Sequence, residues 1–103
     1  MKITILAIGR HVEIMETLLR IIHKNEAWSA KAALTDDEAI LLFDEFQFDI
    51  VLLSSGINEE SENKLRAYFK NSNPSIIILQ HYGGGSGLLS NEIRQALDKN
   101  VKM

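Results

Sequence analysis

The chain has 103 residues, 46% of them hydrophobic and 24% charged, enough for one domain around a single core. With 11 basic against 14 acidic residues the net charge is −3, which excludes a broadly basic nucleic-acid footprint. There is no cysteine, so disulfides, thiolate zinc sites and cysteine nucleophiles are excluded, and the apolar runs are too short to span a membrane.

Residues 3–8 are β-branched and almost wholly apolar, the pattern of a parallel strand covered on both faces. No small-residue cleavage site follows them, so they read as a strand of a cytoplasmic domain and not as a secretory leader. Val12, Met15, Leu18, Leu19 and Ile22 then recur at helical spacing, with Glu13, Glu16, Arg20 and Lys24 opposite. His23 falls late in that helix, where a cation suits the dipole. Residues 28–34 predict a short second strand of small residues. Thr35 and Glu38 fit a capping box, and Ala39, Ile40, Leu42, Phe43 and Phe46 make the apolar face of the helix that follows.

Residues 48–53 predict a buried third strand, and 54–58 a loop. A third helix over 60–71 packs through Leu65, Tyr68 and Phe69 and stops before Pro74, which disfavours helical geometry in the residue preceding it. Residues 75–80 predict a fourth strand and 81–87 a glycine-rich loop. Leu89, Ile93, Ala96 and Leu97 mark the stripe of a last helix that ends by residue 100. Such alternation of strand and helix demands a parallel sheet with helices on both faces. Functional groups in these folds gather at the carboxyl ends of the strands. Here those ends carry Gly9, Arg10 and His11, then Ser54 and Ser55, then Gln80 and His81 with the glycine loop.

The run 5–14, the strand 49–54 after the helix from Ala39, the segment 73–79 and the helix 88–99 together resemble the two-component receiver domain of response regulators. That resemblance implies a flavodoxin-like three-layer sandwich over residues 1–103, with a parallel four-stranded sheet in the order 2-1-3-4. It also implies cytoplasmic, bacterial-type signalling. Within it, Gly9 and Arg10 stand where a receiver has the acidic pair that holds magnesium. Ser54 stands at the phospho-accepting aspartate, and Gln80 at the threonine or serine that senses the phosphoryl group. The strand bearing the family's lysine, and the helix before it, have no counterpart in the pattern. Magnesium needs oxygen ligands that neutralise its charge, and Ser54 cannot form an acyl phosphate. No carboxylate is expected at this mouth. The expectation is therefore a shortened pseudo-receiver acting through protein–protein contacts, without aspartyl phosphorylation, enzymatic activity, cofactor or metal.

An alternative from another class is a small anion- or nucleotide-binding site. Its groups would be Arg10, His11, Ser54, Ser55, Gln80, Gly83, Gly84, Gly85 and Ser86, with the glycine loop opening onto a helix N-terminus. The loop matches neither the phosphate-binding loop nor the dinucleotide fingerprint, so the glycines also read simply as a tight connection. A hydrolase around Ser54 lacks the Gly-x-Ser-x-Gly elbow, and the sequence places no acid to orient His11 or His81. His11, Ser55 and Gly83-Gly84 are also spaced like the corresponding residues of cobalamin-binding domains, but Gly9 stands where that family has an aspartate.

Two surface features point to partners. Residues 32–63 hold nine acids and no Lys or Arg, so the 36–62 region suits a basic protein partner. With no fifth strand, the uncharged run Ile76, Ile77, Ile78 and Leu79 becomes a sheet edge, which invites homodimerisation through that edge or the last helix.

Overall fold

The computed structural model describes residues 2–54, 56–81 and 86–101. In chain order the elements are β1 (Ile3–Ile8), α1 (Val12–His23), β2 (Trp28–Ala33), α2 (Asp36–Glu45), β3 (Ile50–Leu53), α3 (Glu59–Ser72), β4 (Ile77–Gln80) and α4 (Ser86–Val101). All strand pairs are parallel, and the sheet order is β2-β1-β3-β4, the order that the receiver resemblance implies.

The sheet divides the core in two, and strand alternation decides which residue goes where. Ile5, Ala7, Ile50 and Leu52 point to the side covered by α1 and α4, where they meet Met15, Leu18, Ile22, Leu89 and Ile93. Leu6, Ile8, Val51 and Leu53 point to the side covered by α2 and α3, where they meet Ala39, Leu65 and Phe69. The central strands β1 and β3 are thus apolar on both faces. Each fully buried Leu or Ile contributes about 1.5–3 kcal/mol relative to exposure.

The helix starts follow local chemistry. Thr35 Oγ1 accepts from the Glu38 N–H at 3.1 Å, while the Glu38 carboxylate reaches back to the Leu34 N–H at 2.8 Å. Asn58 Oδ1 caps α3 by accepting from the Ser61 N–H. β4 begins two residues later than the sequence suggests. The Ser75 N–H is taken by Asn73 Oδ1 and the Ile76 N–H by the Asn73 carbonyl, so the turn withholds both from the ladder. His23, in the last turn of α1, is also tied to β2: its Nε2 accepts the Ala30 N–H at 3.1 Å. Among the described residues no helix is long and apolar enough to cross a membrane.

Candidate functional site

Three backbone hydrogen bonds carry the ladder one residue past the strands. The Gly9 N–H reaches the Ala33 carbonyl at 3.1 Å, the Ser54 N–H the Ile8 carbonyl at 2.8 Å, and the His81 N–H the Leu53 carbonyl at 2.8 Å. Gly9, Ser54 and His81 therefore stand side by side at the carboxyl edge. By alternation all three face the α1/α4 layer, whereas Gln80 faces α2/α3.

The space above Gly9 is filled. A Cβ added there would collide with the Met15 sulfur and come within 3.2 Å of the Ser54 Cβ. Met15 is buried in the α1 face, so the backbone of β1 and the first helix close this corner between them. Ser54 is itself buried, at 3% exposure.

Arg10 does not stand free over the crevice. Its Nη1 donates to the Leu34 carbonyl at 3.1 Å and its Nη2 to Asp36 Oδ1, on the first turn of α2. Lys64 of α3 adds a second cation, 3.2 Å from Asp36 Oδ2. Burial alone would raise the Asp36 pKa. Hydrogen bonds from Arg10, Ser61 and Lys64, with the charge of Arg10, outweigh it and hold the carboxyl below its usual value.

Gln80 is held in a similar way. Its Nε2 donates to Glu62 Oε1 and its Oε1 accepts from Arg66 Nη2, both at 3.3 Å, while Arg66 Nε donates to Glu62 Oε2 at 2.8 Å. His81 is 4% exposed, and its Nδ1 donates to Glu92 Oε1 of α4 at 2.7 Å. His11 is exposed, its ring against Gly56 in the loop after β3, which has φ +94°.

The structure thus gathers Gly9, Ser54 and His81 but sends Arg10, Gln80 and His11 to separate partners. Ser55, Gly83, Gly84 and Gly85, expected at this mouth, lie outside the described residues, as does the side chain of Ser86. The expectation of a mouth without carboxylates needs correction, because Asp36, Glu62 and Glu92 all reach it. Each is already paired, and among the described residues no three His, Asp or Glu side chains come together as a metal site. Glu92 also supplies the acid that the sequence did not place beside His81. Its one sequence signal is its position directly before Ile93, on the flank of the α4 stripe. Among the described residues no hydrogen bond joins Ser54 to His81, so the Ser–His step that nucleophilic catalysis requires is not made.

No family model matches the sequence, and no curated protein matches it at a significant level. Solved structures do. A CheY-like response regulator receiver domain protein from Methanospirillum hungatei JF-1 superposes with a TM-score of 0.81 at 15% identity, covering 97% of each chain. The signal receiver domain of an HD domain-containing protein from Pseudomonas fluorescens Pf-5 gives 0.80 at 16% identity, over 97% of this chain and 98% of that one. A response regulator receiver domain protein from Clostridium thermocellum gives 0.77 at 15% identity, over 94% and 95%. The fold is that of CheY-like receiver domains, and at these identities the likeness is one of fold.

Proposed function

We propose that this chain is a receiver-like signalling module of the cytoplasm that works by binding other proteins and not by aspartyl phosphorylation. The observation that carries the reading is the filled corner at Gly9. Where the receiver resemblance puts a magnesium-holding acid, the Met15 sulfur stands in the place where that side chain would begin. Arg10, at the other acidic position, is spent on Asp36 and the Leu34 carbonyl. Ser54, at the acceptor position, carries a hydroxyl and not a carboxylate. The test is incubation with acetyl phosphate and magnesium, followed by intact-protein mass spectrometry and thermal melting. The expected result is no phosphoryl adduct and an unchanged melting temperature. An adduct, or a magnesium-dependent rise abolished by Ser54→Ala, overturns the reading.

The anion- or nucleotide-binding alternative is weakened by the same Arg10 pairing, which removes its cation. Phosphate and nucleotides are accordingly expected to leave the melting temperature where it is.

Two kinds of partner complete the proposal. A basic protein partner would meet the acidic 36–62 region. A second copy of the chain would pair along the edge of β4, which among the described residues is hydrogen-bonded to β3 alone, or along α4. Light scattering during size-exclusion chromatography is expected to give a dimer, and a monomer at high micromolar concentration removes this part of the proposal.

A further inference from the structure

Most of the acids of the 36–62 region are engaged within the molecule. Asp36 pairs with Arg10 and Lys64, Glu62 with Arg66, Asp44 with the Tyr68 hydroxyl, Asp49 with the Thr4 N–H and Glu38 with the Leu34 N–H. Asp37, Glu45, Glu59 and Glu60 have no such partner among the described residues. Glu59 and Glu60 open α3 and Asp37 opens α2, where acids suit the helix dipole. Glu45 does not fit that rule. It is the last residue of α2, follows Asp44, and the last turn holds no basic residue. Two carboxylates therefore sit on the negative end of a helix, an arrangement the helix itself disfavours.

The same surface is apolar at its centre. Leu41 is 65% exposed, the most of any large hydrophobic residue described. One turn before it lies Asp37 and one turn after it Glu45, so the exposed leucine has on either side an acid with no partner among the described residues. Phe46 caps the C-terminus of α2 and is 42% exposed. The Lys31 ammonium of β2 stands 4.5 Å from the centre of the Phe46 ring, so the end of α2 already takes a cation. Phe46 also forms the rim of an open cleft of about 420 Å³ shared with Phe43, Phe48, Asp49 and Asn73.

We infer that the outer face of α2, centred on Leu41 and Glu45 and bounded by Phe46, is the docking surface for a basic amphipathic segment of a partner protein. The segment's apolar side chain would cover Leu41, and its Lys or Arg residues would meet Glu45 and the carboxyl end of the helix. This rests on the interaction-module reading and narrows its acidic region to one face. Complementary charge supplies orientation and a fast on-rate, and the apolar contact supplies the area that desolvates it.

The test titrates the full chain, isotope-labelled, with a short amidated peptide bearing Lys and Leu at helical spacing, and follows amide shifts by NMR. Leu41→Ser and Glu45→Lys are each expected to weaken binding about tenfold, since both remove part of a central contact. Glu59→Lys makes the same change in net charge elsewhere and is expected to leave affinity nearly unchanged. A peptide with Ala in place of Leu is expected to bind weakly, as a pure charge effect. Equal losses for Glu45→Lys and Glu59→Lys, or shifts away from α2, overturn the inference. So does a self-association that Leu41→Ser abolishes, because a second copy then covers the face. Since these changes lie far from Gly9 and Ser54, the inference can fail while the acetyl phosphate result stands, and the reverse. Glu45→Lys is also expected to raise the melting temperature, which separates lost binding from lost folding.

Discussion

Arg10 Nη2 donates to Asp36 Oδ1, and this pair ties the loop after β1 to the first turn of α2. Both side chains are largely covered, at 27% and 14% exposure, so solvent screens the pair less than an ordinary surface bridge. Asp36→Asn is expected to lower the unfolding free energy by about 1 kcal/mol at neutral pH. The folded-state pKa of Asp36 lies below its ordinary value. Its contribution is therefore present above the ordinary carboxylate range and lost as pH falls through and below about 4. Urea titrations of both proteins across that range should show the gap closing in acid. A gap independent of pH would assign the effect to packing instead.

Gly9 is fixed by Met15 and not by backbone conformation, since Gly56 alone has positive φ among the described glycines. Gly9→Ala is expected to cost about 1–3 kcal/mol through overpacking, and Gly9→Asp more, because its carboxylate would also be buried without a partner. The colliding atom belongs to a flexible side chain, so shortening it should relieve the strain. Denaturant unfolding of Gly9→Ala, Met15→Ala and the double variant gives the coupling directly. Additive losses would show that the sulfur is not the obstacle.

The layered fold was legible because β1 and β3 are apolar on both faces while the helices carry one stripe each. Thr35, Glu38 and Pro74 marked their boundaries by rules that act within a few residues. The mouth was legible only in part. Gly9, Ser54 and His81 follow from strand ends, but their partners come from elements far along the chain. Arg10 to Asp36 spans 26 residues and Gln80 to Glu62 spans 18. Periodicity places a residue on a face, yet it does not say which long side chain crosses to which neighbour. Arg10 thus read as a free cation and the mouth as free of acids. Met15 read as an ordinary core residue, which it is. That it also closes the corner over Gly9 depends on how closely α1 approaches β1.

Gly56 poses a different constraint from Gly9. Its φ of +94° suits glycine, and a Cβ there would also meet His11 Nε2 at 3.3 Å. Gly56→Ala is expected to destabilise the protein by about 1–2 kcal/mol. The backbone strain does not depend on the ring, so His11→Ala in the same chain should recover little. Thermal melts of the three variants decide this, and full recovery in the double variant would assign the cost to the ring.

His81 and Glu92 join β4 to α4 at the point where the sheet ends. The His81 ring is almost wholly buried, while the Glu92 side chain keeps 31% exposure, so the carboxylate links an interior donor to the surface. Removing the acceptor leaves a buried N–H unpaired, which is the costly direction for a hydrogen bond. Glu92→Ala is therefore expected to lose about 1–3 kcal/mol in denaturant unfolding. Glu92→Gln keeps an oxygen acceptor at the same reach and should lose clearly less. The two variants differ in whether Nδ1 is satisfied, and they share the loss of negative charge. Equal losses would point to the charge, and the larger loss in Glu92→Ala to the hydrogen bond. A second readout places the effect in the structure. Hydrogen exchange at Leu89 and Ile93 should accelerate in Glu92→Ala while exchange at Leu65 and Phe69 of α3 is unchanged, because α4 covers the opposite face of the sheet. Uniform acceleration in both layers would mean that the pair supports the whole fold and not the docking of α4 in particular.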